Sequence, residues 1–326
     1  MPRPDLASLR ATIDDVLRPI ISDARRVALL DFPAHSNVGD SAIWLGTLAC
    51  LRQHGKTICY SCDQSTYSRS TLAERLGDGV ILLSGGGNFG DIWKHSQHLR
   101  EQVVRDFPHA RIVQLPQSVM FRDPGELARA RAIFDAHPDL TLLVRDRRSL
   151  RFVSENFRAP AFLCPDMALC LGPIARPSSA KREIVWLART DRESAGEPLP
   201  TGIATVDWLH EPRAPGLRLE SFLREIIVDH PRAERSLRNT LSRVADGAAA
   251  GRLRRGCAML SEGRVVVTDR LHAHILSLLL GIPSVIIDNS YGKLRNFYET
   301  WTCGNELAAL ADGPEQAMSL AMELAS

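Results

Sequence analysis

Residues 265–275 have the sequence Val-Val-Val-Thr-Asp-Arg-Leu-His-Ala-His-Ile. The β-branched apolar residues predict a buried strand, and the apolar stretch that continues to Leu280 predicts a helix that ends at Gly281. Another apolar run, 283–287, follows at once. A strand that leads through a helix into a second strand is a βαβ unit, and such units build parallel sheets.

The same alternation of apolar runs and helical stretches extends along most of the chain. An opening amphipathic helix is expected at about 5–24, packed against the core rather than bound to a membrane. In the first half, strands are predicted at 27–32, 80–84, 111–115, 140–144 and 160–164, and helices at 40–53, 91–105, 125–136 and 147–155. In the second half, strands are predicted at 183–188, 203–207, 264–268 and 283–287, with helices within 219–257, at 270–280 and at 305–325.

The predicted fold is α/β, with two Rossmann-like domains whose parallel sheets face each other across a cleft. The stretch 171–182 is rich in Pro and Ser, which is typical of a linker between domains. We therefore predict an N-terminal domain over 1–172, a hinge over 173–181 and a C-terminal domain over 182–326. Ligands of such sheets bind beyond the carboxyl ends of the strands, so the cleft is the expected site.

Composition excludes several classes of protein. Of the 326 residues, 44% are hydrophobic and 24% are charged, and 40 basic residues nearly balance 38 acidic ones. These values exclude wholesale disorder and give no electrostatic case for binding nucleic acid.

Local sequence patterns also indicate the cell compartment and the role of the cysteines. The first residues lack the apolar core of a signal peptide, and the longest apolar stretch, 275–287, is too short to span a bilayer. The seven cysteines are dispersed, and Cys59 and Cys62 form a CxxC without a second pair, so we expect structural thiols. We expect a cytoplasmic protein that uses neither a metal nor a cofactor.

Two loops of the first half follow predicted strands. The strand at 27–31 leads into 32–40, in which Asn37 and Asp40 either only shape and cap the following helix or also meet a ligand. The second loop lies in Val-Ile-Leu-Leu-Ser-Gly-Gly-Gly-Asn-Phe-Gly-Asp, residues 80–91. There Gly86, Gly87 and Asn88 either only turn the chain or present backbone N–H groups and a helix N-terminus to an anion or a sugar.

Two further strand ends carry arginine and histidine. Arg145 follows the strand at 140–144, where Asp146 is suited to cap a helix and Arg145 either faces solvent or binds an anion in the cleft. Arg270 and His272 at a helix N-terminus would make an anion pocket with a titratable donor. His272 and His274 are two residues apart, so they do not share a helix face and do not form a two-His metal site. A buried structural histidine pair is the alternative.

Taken together and in order, these motifs resemble the polysaccharide pyruvyl transferase family. The matching pieces are Asn37-Val-Gly-Asp-Ser, Ser84-Gly-Gly-Gly-Asn-Phe-Gly-Asp, Val144-Arg-Asp-Arg-Arg-Ser, Pro165-Asp166, Asp269-Arg-Leu-His-Ala-His and Gly281-Ile-Pro. The resemblance implies a fold like that of the GT-B glycosyltransferases. It also implies transfer of pyruvate from phosphoenolpyruvate to sugar hydroxyls, as a ketal, during synthesis of a bacterial exopolysaccharide or cell-wall polymer.

The resemblance further implies that Arg145 and the run Arg270, Leu271 and His272 contact phosphoenolpyruvate. We expect the other substrate-binding residues to be His274, Asn37, Gly86, Gly87 and Asn88. His272 would protonate the enol carbon or bind the phosphate, and Asp40 or Asp91 would accept the hydroxyl proton.

The acceptor side and the alternatives stay open at this point. A lipid-linked saccharide acceptor would bring the protein to the inner face of the membrane. Residues 190–218 match no family pattern, and we expect them to shape the acceptor side. The alternatives are a GT-B-like glycosyltransferase that uses a nucleotide sugar and a non-catalytic protein that binds a saccharide or phosphate.

Overall fold

The computed structural model describes residues 5–190, 205–211, 215–288 and 292–325. Within these ranges the chain forms two β-sheets flanked by helices, and every described pairing between strands is parallel. The prediction of an α/β protein with two parallel sheets is confirmed.

The first sheet belongs to the N-terminal half. Its strands are β1 (Arg26–Leu30), β2 (Thr57–Cys62), β3 (Val80–Leu83), β4 (Gly86–Gly90), β5 (Ile112–Met120), β6 (Leu140–Val144) and β7 (Ala161–Leu163). They lie in the order β2-β1-β3-β5-β6-β7, and β4 also pairs with β5. Because the chain leaves β1 first to one side and then to the other, the order reverses between β1 and β3. Such a reversal opens a crevice at the carboxyl ends of the two strands.

The strand order also reverses within the second sheet. Its strands are β8 (Arg182–Leu187), β9 (Thr205–Val206), β10 (Gly263–Thr268), β11 (Ser284–Ile287) and β12 (Ala308–Ala311), in the order β12-β11-β10-β8-β9. Here the order reverses between β8 and β10. The Asp-Arg-Leu-His segment that follows β10 therefore enters the crevice of this sheet directly.

The helices cover the faces of both sheets. They are α1 (Leu6–Ile21), α2 (Val38–Gln53), α3 (Arg69–Leu76), α4 (Lys94–Asp106), α5 (Pro124–Phe134), α6 (Arg147–Asn156), α7 (Pro215–Asp229), α8 (Glu234–Ser261), α9 (Leu271–Leu280), α10 (Lys293–Phe297) and α11 (Pro314–Ala325). Helix α1 buries Leu9, Ile13, Leu17 and Ile21, which confirms that it packs on the core. None of the helices in the described ranges combines the length and apolar composition that crossing a bilayer requires.

Three segments differ from the predictions. Strand β2 and helix α3 were not predicted. The glycine-rich segment forms β4 instead of a loop, and the helix after it begins at Lys94 rather than Asp91. The predicted terminal helix at 305–325 is a strand, β12, followed by α11.

The two halves are joined by more than the connecting segment. Helix α8 packs on α2, where the indole Nε1 of Trp44 donates to Asp246 Oδ1 at 2.7 Å. The Arg238 guanidinium is buried and donates to the backbone oxygens of Ser61 and Thr66. One hydrophobic cluster includes buried residues from both halves. The domain boundaries and a hinge at 173–181 stay predictions.

Candidate active site

A cavity of about 510 Å³ lies where the carboxyl ends of the two sheets meet. Residues that follow β1, β3 and β6 line one side, and residues that follow β8 and β10 line the other. The cavity wall includes eight of the predicted site residues: Asn37, Asp40, Gly87, Asn88, Arg145, Arg270, Leu271 and His272. The crevices of both sheets thus open into one space.

Asp166 links the two halves by contacting Arg145 and His272, two residues of the cavity wall. Its Oδ2 accepts a hydrogen bond from Arg145 Nη1 at 2.7 Å and lies 3.2 Å from His272 Nε2. Its Oδ1 accepts from the backbone N–H of Ala168 at 2.9 Å, which caps a 3-10 turn. Burial by itself raises the pKa of Asp166, but His272, Arg145 and the Ala168 N–H more than offset this, so the pKa lies well below its usual range. The carboxyl is therefore an anion that orients the side chains of Arg145 and His272.

Arg145 is held on several sides. Its side chain is buried, with 2% of the residue exposed, and its Nε donates to Ser118 Oγ at 2.9 Å. The indole of Trp301 donates to the Arg145 carbonyl at 2.8 Å. The next residue, Asp146, caps α6 as the sequence indicates, by accepting from Ser149 N at 2.7 Å. These contacts fix the guanidinium at the cavity wall.

Arg270 and Lys293 add two further buried cations, with 2% and 8% of the residue exposed. Arg270 Nη2 donates to Asp207 Oδ2 at 2.7 Å, and its guanidinium lies 5.9 Å from the centroid of the Trp208 ring. Lys293 Nζ donates to the Gly87 carbonyl at 3.1 Å. A β-carbon on Gly87 would lie 3.0 Å from Arg145 Nη2 and 3.1 Å from Lys293 Nζ, so a glycine lets both cations approach this wall.

The loop after β1 reaches His272 from the opposite half. Asn37 caps α2 by accepting from Gly39 N at 3.0 Å, and its Nδ2 donates to Asp40 Oδ2 at 2.7 Å. Gly39 lies directly against the imidazole, where a β-carbon would overlap Nδ1 and Cγ of His272. The motif Asn37-Val-Gly-Asp therefore brings its glycine against the histidine of the later motif.

The glycine-rich segment and the start of the next helix lie partly at the cavity wall. Asn88 N donates to Gln117 Oε1 at 3.0 Å, and Gly90 N donates to Gln97 Oε1 at 3.2 Å. These two N–H groups are therefore already paired with side chains of β5 and α4, whereas Trp93, His95 and Ser96 at the N-terminus of α4 line the cavity. Gly87 and Asn88 belong to the cavity wall, whereas Gly86 does not.

Asp91 and His274 also lie outside the cavity wall, which corrects their predicted roles. Asp91 Oδ2 accepts from the backbone N–H groups of Arg122 and Asp123, so this carboxylate shapes the turn before α5. His274 is fully buried between Ser284 Oγ at 2.8 Å and Thr302 Oγ1 at 3.0 Å. Burial lowers its pKa to about 4, so the ring is neutral and structural.

The structure also shows functional residues that our site predictions do not include. Asp166 belongs to the Pro-Asp motif, but its contacts with Arg145 and His272 depend on the packing of the two halves. Lys293 has no motif around it. Of the stretch 190–218, residues 191–204 and 212–214 lie outside the described residues. Asp207 and Trp208, in the described part of this stretch, contact Arg270. The expectation that the stretch shapes the acceptor side stays a prediction.

Comparison with known proteins decides the family. Residues 37–291 match the model of the polysaccharide pyruvyl transferase family. The chain belongs to this family. It is 34% identical to pyruvyl transferase 1 of Schizosaccharomyces pombe, over 92% of this chain and 76% of that protein. It is 30% identical to EpsO of Bacillus subtilis, which carries a pyruvyl transferase name, over 92% of each chain.

The family identifies the protein as a transferase, as predicted. A further relative, general stress protein 30 of Bacillus subtilis, is 25% identical over 86% of this chain. Among solved structures, an uncharacterised protein of Klebsiella pneumoniae has a TM-score of 0.60 and 17% identity, and the match covers 94% of this chain and 99% of that one. This likeness shows a shared fold.

Proposed function

We propose that this pyruvyl transferase moves pyruvate from phosphoenolpyruvate to hydroxyls of a sugar in an exopolysaccharide or cell-wall polymer precursor, forming a ketal. The observation that supports this donor most directly is the convergence of Arg145, Arg270 and Lys293 with His272 on one cavity. Phosphoenolpyruvate carries a carboxylate and a phosphate on one carbon. Guanidinium groups bind such planar and tetrahedral anions through paired hydrogen bonds, and a lysine adds a point charge.

The reaction requires proton transfers that side chains of this cavity can carry out. Carbon C3 of the donor gains a proton, the oxygens of two acceptor hydroxyls bond to C2, and the C2–O bond to phosphate breaks. Of the two hydroxyl protons, one balances the new methyl group and the other leaves with phosphate. His272 would deliver the proton to C3 or assist the departing phosphate, and such general acid catalysis contributes roughly 10²–10⁴-fold.

Contacts around His272 support this role. Asp166 Oδ2 lies 3.2 Å from Nε2 and holds the ring of His272, which lines the cavity. Nδ1 and Cγ of the ring pack against Gly39, so the loop after β1 also fixes the position of the imidazole. The carboxylate also fixes the ring orientation, as in catalytic histidines that need a defined tautomer.

The proposal also assigns the two substrates to different halves of the chain. The C-terminal half would bind the donor, with Arg145 reaching over from the N-terminal half, and the N-terminal half would bind the saccharide. A GT-B-like closure about 173–181 would exclude the water that otherwise captures the cationic intermediate. We place this reaction in the cytoplasm, at the inner face of the membrane. There the acceptor would be a lipid-linked saccharide, which is a precursor of the polymer.

A thermal melt with and without donor candidates tests the proposal. A ligand at 100 times its Kd adds about 2.7 kcal/mol to the free energy of unfolding. We expect phosphoenolpyruvate to raise the Tm, and Arg270→Ala to abolish the rise. The control is Arg254→Ala, because Arg254 is an exposed arginine of α8 away from the cavity. A Tm rise with UDP- or GDP-sugars instead would contradict the donor assignment and favour glycosyl transfer.

A further inference from the structure

Asp31 occupies the crevice of the first sheet in an unusual backbone conformation. It follows β1 directly, at the reversal of strand order between β1 and β3, and it lines the cavity. Within the described ranges it is the one residue other than glycine with positive φ, at 71°. Such a conformation costs an L-residue about 1–2 kcal/mol and is concentrated at functional sites.

The Asp31 carboxylate is held through one of its two oxygens. Its Oδ1 accepts from Gln64 Nε2 at 3.2 Å, and the same Nε2 lies 2.8 Å from Ser96 Oγ. The backbone N–H donates to the Cys62 carbonyl at 2.8 Å, which ties the residue to β2. Among the described residues no hydrogen bond reaches Oδ2, and the residue is only partly buried, at the cavity wall. Oδ2 is therefore available to a substrate.

The two carboxylates that the sequence suggested as bases have other partners. Asp91 is outside the cavity and holds the turn before α5. Asp40 has its Oδ2 occupied by Asn37 Nδ2 and lies 3.7 Å from His35 Nε2. Asp31 and Asp40 each keep one carboxylate oxygen without a hydrogen bond among the described residues, but Asp31 alone stands directly at the end of β1, at the reversal of strand order, with a positive φ.

We infer that Asp31 is the base that removes the proton of the attacking acceptor hydroxyl, held in place by Gln64 and Ser96. The inference rests on the proposed pyruvyl transfer. The O–H bond breaks, its proton passes to Oδ2 of Asp31, and its electron pair forms the bond from the sugar oxygen to C2 of the donor. Asp31 then returns the proton to the leaving phosphate or to water, so that it begins the next turnover ionised.

The electrostatic surroundings agree with this role. Burial raises the pKa of Asp31, and Asp63 adds to the rise, whereas Arg100, the Gln64 hydrogen bond and His35 act to lower it. The net shift is upward, towards the neutral range in which a general base is most effective. The acidic limb of the pH profile of kcat/KM should accordingly lie above the pKa of an ordinary aspartate, near 4.

The direct test is Asp31→Asn, because asparagine keeps the shape of the side chain and tolerates the same backbone conformation. The assay measures phosphate release from phosphoenolpyruvate with a panel of p-nitrophenyl hexosides. We expect kcat to fall roughly 10²–10⁴-fold, the acidic limb to disappear, and the Tm rise with phosphoenolpyruvate to persist. Asp31→Gly should lose the same activity and be at least as stable, since glycine adopts positive φ without strain.

The control is Asp78→Asn. Asp78 is exposed and precedes β3, so it lies at the amino end of that strand, whereas the cavity lies at the carboxyl ends. Turnover by Asp31→Asn within about threefold of wild type, or an unchanged acidic limb, would overturn the assignment of Asp31. Loss of the Tm rise in this variant would also overturn it and place Asp31 at the donor. A wild-type protein that releases no phosphate with any sugar and shows no Tm rise would instead contradict the proposed function.

Discussion

His272 Nε2 lies 3.2 Å from Asp166 Oδ2, so a side chain of the second half meets a buried carboxylate of the first. The same oxygen accepts a hydrogen bond from Arg145. One anion thereby orients two side chains that lie 127 residues apart in the sequence, Arg145 and His272. The geometry of the candidate active site depends on how the two halves pack as well as on its own motifs.

Removing the charge of Asp166 should damage both stability and turnover. In Asp166→Asn the Arg145 guanidinium would lose its buried counter-charge, and breaking such a pair typically costs about 3–5 kcal/mol. Denaturant unfolding at neutral pH measures this loss. Because folding lowers the pKa of Asp166, its contribution is present above the ordinary aspartate pKa and is lost as the pH falls below about 4. The variant should therefore lose less stability than wild type on acidification, and equal stability of the two proteins at pH 7 would contradict the pairing.

Gly39→Ala should impair catalysis through the position of His272. The new methyl group would overlap Nδ1 and Cγ of the imidazole, so the ring must move. A displacement of about 1 Å can cost roughly 10²-fold in rate, and we expect a fall in kcat of at least about tenfold. The matched control is Gly247→Ala in α8, where a β-carbon meets open space and alanine favours the helix. Normal kcat in Gly39→Ala would show that this contact does not set the ring position.

Lys293→Met should weaken donor binding while leaving the fold intact. The Nζ atom lies beside Gly87 and Arg145 at the cavity wall, and methionine keeps the apolar length of the side chain without its charge. We expect the Kd for phosphoenolpyruvate to rise about tenfold, which corresponds to about 1.4 kcal/mol. Calorimetric titration measures the Kd. Lys181→Met, at an exposed lysine, is the control, and an unchanged Kd in Lys293→Met would remove Lys293 from the donor site.

The strands that deliver site residues could be predicted because they are continuous apolar runs. Thus β6 leads to Arg145 and β10 to Arg270, and the sequence shows both strands and both residues. In contrast, β2 alternates apolar residues with Thr, Ser and Cys, and α3 has only eight residues, so neither gives a strong pattern. The glycines of β4 do not favour a strand, and pairing with the long strand β5 imposes one.

Side-chain roles were harder to predict than strands. His274 is two residues from His272, and the helix turns its ring towards Ser284 and Thr302 instead of the cavity. Lys293 is brought to Gly87 by contact between segments about 200 residues apart. Asp31 carries no motif, and its significance lies in a backbone angle that only the three-dimensional structure shows.

His274 should make the stability of the protein depend on pH in a defined window. Burial lowers its pKa from 6.5 to about 4 in the folded state, whereas the unfolded chain keeps the higher value. Between these values the unfolded state binds the extra proton, so the stabilising contribution is complete above pH 6.5 and declines as the pH falls to 4. The full difference is about 3 kcal/mol. His274→Asn should flatten the fall in unfolding free energy across this window without changing the Tm rise with phosphoenolpyruvate. His109→Asn, at an exposed histidine, should keep the wild-type slope. If His274→Asn also keeps that slope, the ring is not held neutral in the core; if it instead abolishes donor binding, His274 belongs to the active site after all.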